Sequence, residues 1–568
     1  MSLNYKLYTV PEITSLQDMI IQSARKYGDK LALEDLTDTK ISKVTFGELL
    51  DLILRFGTSL RKLEIPERTH IAVISENRVQ WGLTYLTAAA FNYVIVPIDK
   101  NLSTNEILNI VHESDAEVIV HSEAFSELFM GSRSTLKRIR HYINMDLDEE
   151  REGTHSMTGM MSAAQPGSVS LLPKIKPEEL FEIIFTSGSL GRAKGVMLSQ
   201  GNIAENLMGM TAMIYIGPDD KFLSVLPVHH TYECTCGFLC PLYTGASVSY
   251  ARSLKTVVED LVRVKATVLL AVPLLYDKMF KRIYKAIQDD KVKSKIVPPL
   301  VKLSNAFEIV GWKSFKKKIF AEIHHKFGGS IRIFIAGGAA PDPKVAKGLR
   351  EFGFTFVQGY GLTETSPISA LNRLDMFKDD AAGLPLPRTE IKINNPDSDG
   401  IGEIYIRGKH VMLGYYKNES LTRESIVEGW FRTGDLGSFD KEGFLHINGR
   451  KKNVIIANNG KNVFPEEVED VLNRSSFVKE SLVYGERDTK HQEVIAVKIV
   501  IDGEAFIELA ERQKVKITEE LINSTISEVI KETNKQLASF KQIKKFYIRE
   551  NEFEKTTTQK IKRYLVNN

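Results

Sequence analysis

Thr186-Ser187-Gly188-Ser189-Leu190-Gly191-Arg192-Ala193-Lys194-Gly195 follows the apolar run Ile183-Ile184-Phe185, and the rest of the chain is organised around it. The chemistry of this stretch is phosphate handling. Closely spaced glycines let backbone N–H groups approach an anion, the hydroxyls of Thr186, Ser187 and Ser189 suit phosphate or the shell of a metal, and Lys194 adds a positive charge. It is not a Walker A loop, which ends in Gly-Lys-Ser/Thr, whereas Lys194 lies between Ala193 and Gly195. A Gly/Ser-rich stretch alone is more often a surface turn, so the assignment depends on partners elsewhere in the chain.

The bulk properties narrow the setting. A chain of 568 residues exceeds the roughly 250–300 residues that one core usually serves, so two or more domains are expected. An apolar share of 43% and a charged share of 26% are those of an ordinary globular protein, and a net charge of +3 gives no reason to expect nucleic acid. The start, Met1-Ser2-Leu3-Asn4-Tyr5-Lys6, lacks the apolar core of a secretion signal, so a cytoplasmic location is expected by default. The most apolar stretch, 83–98, contains Asn92 and Pro97 and falls short of the roughly 18 residues a bilayer span needs. Cys234, Cys236 and Cys240 crowd together just after His229 and His230, but no second cluster exists to complete a zinc knuckle. They read better as the lining of an apolar helix.

Taken in order, the chain alternates strands and helices. After a helix over 15–27, strands are expected at 70–74, 94–98 and 117–120, with helices at 80–91 and from Ser103, where Ser103-Thr104-Asn105-Glu106 is a capping box. That rhythm means a parallel sheet covered by helices. The stretch 146–170 lacks periodicity and reads as a surface connection. Strands at 222–226, 247–250, 267–272, 331–335 and 355–357 then form a second doubly wound lobe. Ligands of open α/β sheets bind beyond the carboxyl ends of strands, where Pro227-Val228-His229-His230, Gly337-Gly338-Ala339 and Gln358-Gly359-Tyr360 would lie. Short alternating strands over 383–416 form a small β-subdomain. Beyond Gly449-Arg450-Lys451-Lys452 comes a smaller α/β segment, with strands near 481–484 and 494–500 and a helix over 518–537. The Lys/Arg-rich end reads largely as a solvated face.

With Gly359-Tyr360-Gly361-Leu362-Thr363-Glu364, Phe431-Arg432-Thr433-Gly434-Asp435-Leu436, Gly449-Arg450-Lys451-Lys452 and Lys560, the loop resembles the acyl-adenylate-forming superfamily of acyl-CoA synthetases, luciferases and peptide-synthetase adenylation domains. Five motifs stand in the family's order. The resemblance implies an α/β fold: a large N-terminal domain, 1–449, of doubly wound lobes with a small β-subdomain, then a small mobile α+β domain, 450–568. It implies a reaction in two halves, in which a carboxylate attacks the α-phosphate of ATP to give acyl-AMP and pyrophosphate, and a thiol then displaces AMP. Bringing two anions together makes positioning and charge neutralisation the main work of the protein.

The same resemblance distributes the roles. Thr186 and Glu364 would assist Mg²⁺ on the phosphates. The nucleotide would be held by Thr186, Ser187, Gly188, Ser189, Gly191 and Lys194, by Gly337, Gly338 and Ala339, and by Gln358, Gly359, Tyr360, Gly361, Leu362 and Thr363. Asp435 would take the ribose hydroxyls and Arg450 the ribose or phosphate. His230 and Lys560 join Thr186 and Glu364 as catalytic candidates, Lys560 neutralising the α-phosphate. The small domain would turn about Lys452, and Gly460, Lys461 and Asn462 would line the thiol tunnel. The chain departs from the family at Leu190, Ala193, Gly449 and Gln559, where threonine, proline, aspartate and glycine are usual.

Leu226-Pro227-Val228-His229-His230-Thr231-Tyr232-Glu233 looks like the Leu-Pro-x-x-His-x-x-Glu segment of long-chain fatty acyl-CoA synthetases, as does the insertion 284–329. Cys234 stands where some long-chain members carry a gating tryptophan. The resemblance therefore implies a long-chain fatty acid, ATP and CoA as substrates, with no nucleic acid partner. A homodimer stays open, as does peripheral membrane contact through the basic and aromatic 312–320. Transfer to a carrier-protein phosphopantetheine is the alternative within enzymes, and a catalytically silent lipid-binding or scaffold homologue the alternative outside them.

Overall fold

The structure, a computed structural model, describes residues 5–37, 39–165, 167–186, 194–309, 313–457, 461–487, 493–556 and 561–565, without the side chains of 306–309, 313–315 and 564. The chain divides into two compact units, Met1–Ile391 with Ile406–Phe431, and Lys392–Tyr405 with Arg432–Asn568.

In the larger unit an eight-stranded sheet runs Gly414–Tyr415, Lys194–Ser199, Leu180–Thr186, Val94–Pro97, His70–Ile74, Val118–His121, His141–Asn144, Thr154–Ser156. Its pairings are parallel from Leu180–Thr186 onward, and the first two are antiparallel. A nine-stranded sheet runs Leu384–Pro385, Ile368–Leu371, Thr355–Gly361, Ile333–Ala336, Val268–Ala271, Lys221–Ser224, Ser247–Tyr250, Leu31–Asp35, Lys43–Thr45, parallel except at its two edges. The central strands are continuous apolar runs because helices cover both faces, which is the alternating rhythm expected of doubly wound lobes. Ser103 caps the helix Thr104–Glu113 through the expected box, its Oγ accepting from Glu106 N. The helix Val79–Ala90 is buried at all twelve positions. It packs on His70–Ile74 and Val94–Pro97 of one sheet and on Leu31–Asp35 of the other.

Three stretches differ from expectation. Residues 146–170 contain the outermost strand of the first sheet, Thr154–Ser156, and a helix, Met157–Ala163, capped by Ser156. A three-residue strand and a two-turn helix are too short to imprint a period, and the strand exists only through its pairing with His141–Asn144. Within 312–320, Trp312 lies outside the described residues, while Lys316 and Phe320 are buried, Phe320 in the aromatic core with Phe352. Lys317 and Lys318, between them, are exposed. In the basic C-terminal end, Ile543–Arg549 is a strand, which the sequence reading had not assigned. Its Lys545 is tied to Glu486 at 2.6 Å, and the neighbouring Lys541 to Glu467 at 2.7 Å, while Lys544 is exposed.

The smaller unit holds a three-stranded sheet, Val478–Arg487, Glu493–Ile501 and Ile543–Arg549, whose first pairing is antiparallel and second parallel. The helices Pro465–Leu472, Gly503–Gln513 and Glu519–Gln536 contribute Val468, Phe506 and Ile526 to a core with Val483, Val497 and Ile499. The short-stranded β-subdomain is a five-stranded sheet of Glu390–Asn394, Gly402–Arg407, Trp430–Phe439 and Ile426–Val427, with Leu445–Arg450 also paired to Trp430–Phe439, which meets Ile426–Val427 and Leu445–Arg450 in antiparallel register. Among the described residues, no helix is long and apolar enough to cross a membrane.

His410 is buried, with Nε2 3.1 Å from Ser369 Oγ, and burial holds its pKa down at about 4. Below its ordinary value of about 6.5 the unfolded chain takes up a proton that the fold refuses, so stability is full above that pH and falls as pH drops toward 4. The loss is at most about 3 kcal/mol. Denaturant midpoints between pH 4 and 6.5 should therefore fall less steeply in His410→Gln than in the parent protein.

Candidate functional site

Thr186 ends the strand Leu180–Thr186 and faces Lys194, the first residue of Lys194–Ser199, in antiparallel register. The turn between them, with Ser187, Gly188, Ser189 and Gly191, lies outside the described residues. The hydroxyl and the ammonium are thus brought side by side by strand pairing alone. A tyrosine that the sequence reading passed over fixes what surrounds them. The Lys194 ammonium lies 5.2 Å from the Tyr415 ring centroid, and the Tyr415 hydroxyl donates to Glu364 Oε1 at 2.9 Å. Tyr415 is held in turn by pairing with Val196 and by its N–H donating to Thr422 Oγ1 at 2.9 Å. Its only sequence signal was a two-residue Gly-Tyr pair, too short to read as a strand.

Glu364 sits on the tight turn Thr363–Thr365, and its carbonyl accepts from Met412 N at 2.9 Å. Thr231 Oγ1 donates to Thr363 Oγ1 at 3.2 Å, which joins the Leu-Pro-Val-His-His-Thr-Tyr-Glu segment to the Gly-Tyr-Gly-Leu-Thr-Glu motif. Gly337, Gly338 and Ala339 leave the end of Ile333–Ala336, and Gly359, Tyr360 and Gly361 close the adjacent strand Thr355–Gly361. A Cβ at Gly337 would stand 2.4 Å from the Tyr232 ring, so only glycine lets that ring reach the strand end. Gly338, at φ +82°, turns the backbone away. Leu362 and Thr363 are half-buried beside them. The side chain of Gln358 points elsewhere, donating to Asp379 O at 2.9 Å and Ala381 O at 2.7 Å, and so serves the fold.

His229 and His230 follow Lys221–Ser224, on a segment anchored where Val228 N donates to Asn77 Oδ1 at 3.0 Å. His229 is buried, His230 is half-buried, and their rings are 4.4 Å apart. Beyond them Tyr232–Leu239 winds as a π-helix carrying Cys234 and Cys236, with Cys240 opening the short helix after it. All three thiols are buried and free, and burial pushes Cys240 up to about 12, so they are inert apolar lining as expected. Cys236 and Cys240 border an apolar cavity with Met210, Ile214, Phe222 and Leu270. Gly359 and Tyr232 also line it, so the cavity abuts the nucleotide motifs.

In the smaller unit, Asp435 and Arg450 are cross-strand partners, and Arg450 Nε lies 2.8 Å from Asp435 Oδ1. Arg450 Nη1 also donates to Thr433 O at 3.0 Å, and Asp435 N donates to Thr433 Oγ1 at 3.0 Å. Lys452 lies exposed on the turn Lys451–Asn453. Ile456 pairs with Asn462, and Ala457 N donates to Lys461 O at 2.9 Å, closing a hairpin whose tip, including Gly460, lies outside the described residues. Lys461 rests over the Phe540 ring at 5.0 Å. Lys560 also lies outside them, but its flanks are held: Lys555 bridges to Ile561, and Arg563 Nη1 donates to Val483 O at 3.0 Å.

The donor set suits Mg²⁺. Thr186 and Glu364 offer hard oxygens, the carboxylate is oriented by Tyr415, and neither residue brings nitrogen or sulfur.

The architecture is that of solved acid–CoA ligases. Anthranilate CoA ligase AuaEII in complex with anthranoyl-AMP superposes with a TM-score of 0.78 at 19% identity, covering 98% of this chain and 97% of that one. ATP-bound MatB from Rhodopseudomonas palustris gives 0.76 at 22% identity, covering 97% and 98%. The chain belongs to the AMP-binding enzyme family, whose model matches residues 20–416, with the AMP-binding enzyme C-terminal domain matching 467–560. Long-chain-fatty-acid–CoA ligase FadD15 of Mycobacterium tuberculosis is 26% identical over 98% of this chain and 96% of its own length. Long chain acyl-CoA synthetase 7, peroxisomal, of Arabidopsis thaliana is 28% identical over 89% and 76%. The long-chain-fatty-acid–[acyl-carrier-protein] ligase AEE15, chloroplastic, of the same plant is 28% identical over 84% and 75%.

A Cβ added at Gly361 would lie 1.7 Å from Pro367 O, whereas one at exposed Gly131 would meet nothing within 4 Å. Gly361→Ala should destabilise the larger unit by about 1–3 kcal/mol or more, and Gly131→Ala should leave it unchanged or more stable by up to about 1 kcal/mol, both read from denaturation midpoints.

Proposed function

We propose that the protein is an AMP-forming ligase that activates a long-chain fatty acid to acyl-AMP and then transfers the acyl group to CoA. The observation that carries the acid's identity is the apolar lining of the cavity that Gly359 and Tyr232 border. Its lining of Met210, Ile214, Phe222 and Leu270 is apolar and offers no counter-charge to a polar acid. A fatty acid could bury its chain there and present its carboxylate toward the nucleotide.

On this reading, Lys194 and the hydroxyls of 186–189 hold the phosphates, while Gly337 to Ala339 and Gly359 to Thr363 flank the base, with Tyr360 stacking on it. Mg²⁺, held by Thr186 and Glu364, would supply charge neutralisation on the phosphates. Tyr415 keeps the Glu364 carboxylate turned toward that position and shields Lys194 from pairing with it directly. His230 orients the acyl carboxylate. Asp435 receives the ribose hydroxyls, and its pairing with Arg450 keeps the carboxylate aimed. Lys560 brings a point charge to the α-phosphate as the pentavalent state forms. We divide the chain functionally at 449/450, with rotation about Lys452 withdrawing Lys560 and bringing Gly460, Lys461 and Asn462 to the thiol's path.

The test is pyrophosphate release from ATP and Mg²⁺ with acids from acetate to oleate, with either CoA or a carrier protein as acceptor. Turnover rising with chain length and requiring CoA is expected. Turnover only with the carrier protein would replace CoA as acceptor. Nucleotide binding without turnover on any acid would leave a silent homologue. Lys560→Ala should reduce acyl-AMP formation by about 10²-fold or more, yet leave thioester formation from supplied acyl-AMP near the parent rate. Equal losses in the two half-reactions would remove Lys560 from the first.

A further inference from the structure

We propose that Asp99, His229 and His230 form a site for a borderline divalent transition metal, with Zn²⁺ as the type. Among the described residues these three bring their ligand atoms within 4.8 Å of one another. They come from both sheets of the larger unit. Asp99 follows Val94–Pro97, the parallel neighbour of Leu180–Thr186, and the histidines follow Lys221–Ser224. Each arm is anchored: Asp99 Oδ1 accepts from Asn101 N at 2.9 Å, and Val228 N donates to Asn77 Oδ1.

His229 supplies an independent pointer to a ligand. It is 8% exposed, and its Nε2 is buried without a hydrogen-bond partner, 3.6 Å from Asp99 Oδ1. That separation is too long for a hydrogen bond. It matches the roughly 3.3–3.6 Å between two ligands at tetrahedral angles on one ion with bonds of about 2.0–2.2 Å. Because ligands of one ion cannot be more than about 4.4 Å apart, one side chain must turn on binding, and half-buried His230 has the room. Two imidazoles and one carboxylate select Zn²⁺, Co²⁺ or Ni²⁺ over Mg²⁺, so the site differs in chemistry from the oxygen set of Thr186 and Glu364. A metal there takes His230 away from the acyl carboxylate and inhibits the ligase, a consequence that rests on the proposed function.

The test is titration of the full chain, free of ATP, with Co²⁺ and Zn²⁺ in excess Mg²⁺. One equivalent of Co²⁺ should bind, give visible d–d bands without thiolate charge transfer, and be displaced by Zn²⁺. Asp99→Asn and His229→Gln should each weaken binding by more than the roughly 10–100-fold that losing a second-shell partner costs. Both variants should keep the parent's activity without metal, and lose its inhibition by Zn²⁺. Absence of stoichiometric binding, thiolate bands from the cysteine cluster, or unchanged binding in both variants would overturn the site. If the metal-free protein releases no pyrophosphate while the cobalt spectrum stands, the functional reading fails and the metal site remains.

Discussion

The two sheets of the larger unit are held apart and in register by one helix, Val79–Ala90, that no face of which reaches water. Trp81 stacks on Tyr85 at 5.5 Å, and Phe238 meets both rings edge-on. Gly82 is required there, since a Cβ would press to 2.9 Å from Phe238. Tyr85 donates to Glu182 Oε2 at 3.1 Å, and on the other side Ser224 donates to Glu233 Oε1 at 2.5 Å. Burial pushes both carboxyls up to about 8, so each is held neutral near physiological pH rather than as an uncompensated charge. Glu182 lies on the strand that ends at Thr186, and Glu233 on the π-helix that follows the histidines. The wedge therefore sets the distance between the strand that ends at Thr186 and the segment that carries His229 and His230.

With that spacing set, the carboxyl ends of the strands converge. Thr186, Asp99, His229, Gly337 and Tyr360 all lie at or just beyond strand ends, as open α/β sheets place their ligand groups. Side chains then tie the separate motifs together. Tyr415 spans Lys194 and Glu364, and Thr231 reaches Thr363. The smaller unit builds its contribution differently, from one antiparallel pair in which Asp435 and Arg450 are already opposite each other. A charged pair preformed in this way needs little reorganisation to meet a polar ligand.

Much of this was legible in the sequence, and the limits are physical. His70–Ile74 and the helix capped by Ser103 emerged where expected, because a buried apolar run and a reciprocal cap are local signals. The helix at 79–90 was foreseen within a residue at each end. The edge strand Thr154–Ser156 and the strand Ile543–Arg549 were not, since each depends on pairing partners rather than on its own period. Tyr415 and Asp99 were missed for the same reason. They lie 51 and 130 residues from Glu364 and His229, and nothing local marks them.

By itself the sequence determined the class of fold and the inventory of phosphate-handling groups, because strand–helix alternation and Gly/hydroxyl/Lys chemistry are written within a few consecutive residues. Only the tertiary structure decided which distant groups meet: Tyr415 with Glu364, Asp99 with His229, and an apolar cavity with Gly359. Those contacts arise from two sheets packing about a buried helix, and the packing distance is a property of the folded whole that no single segment encodes.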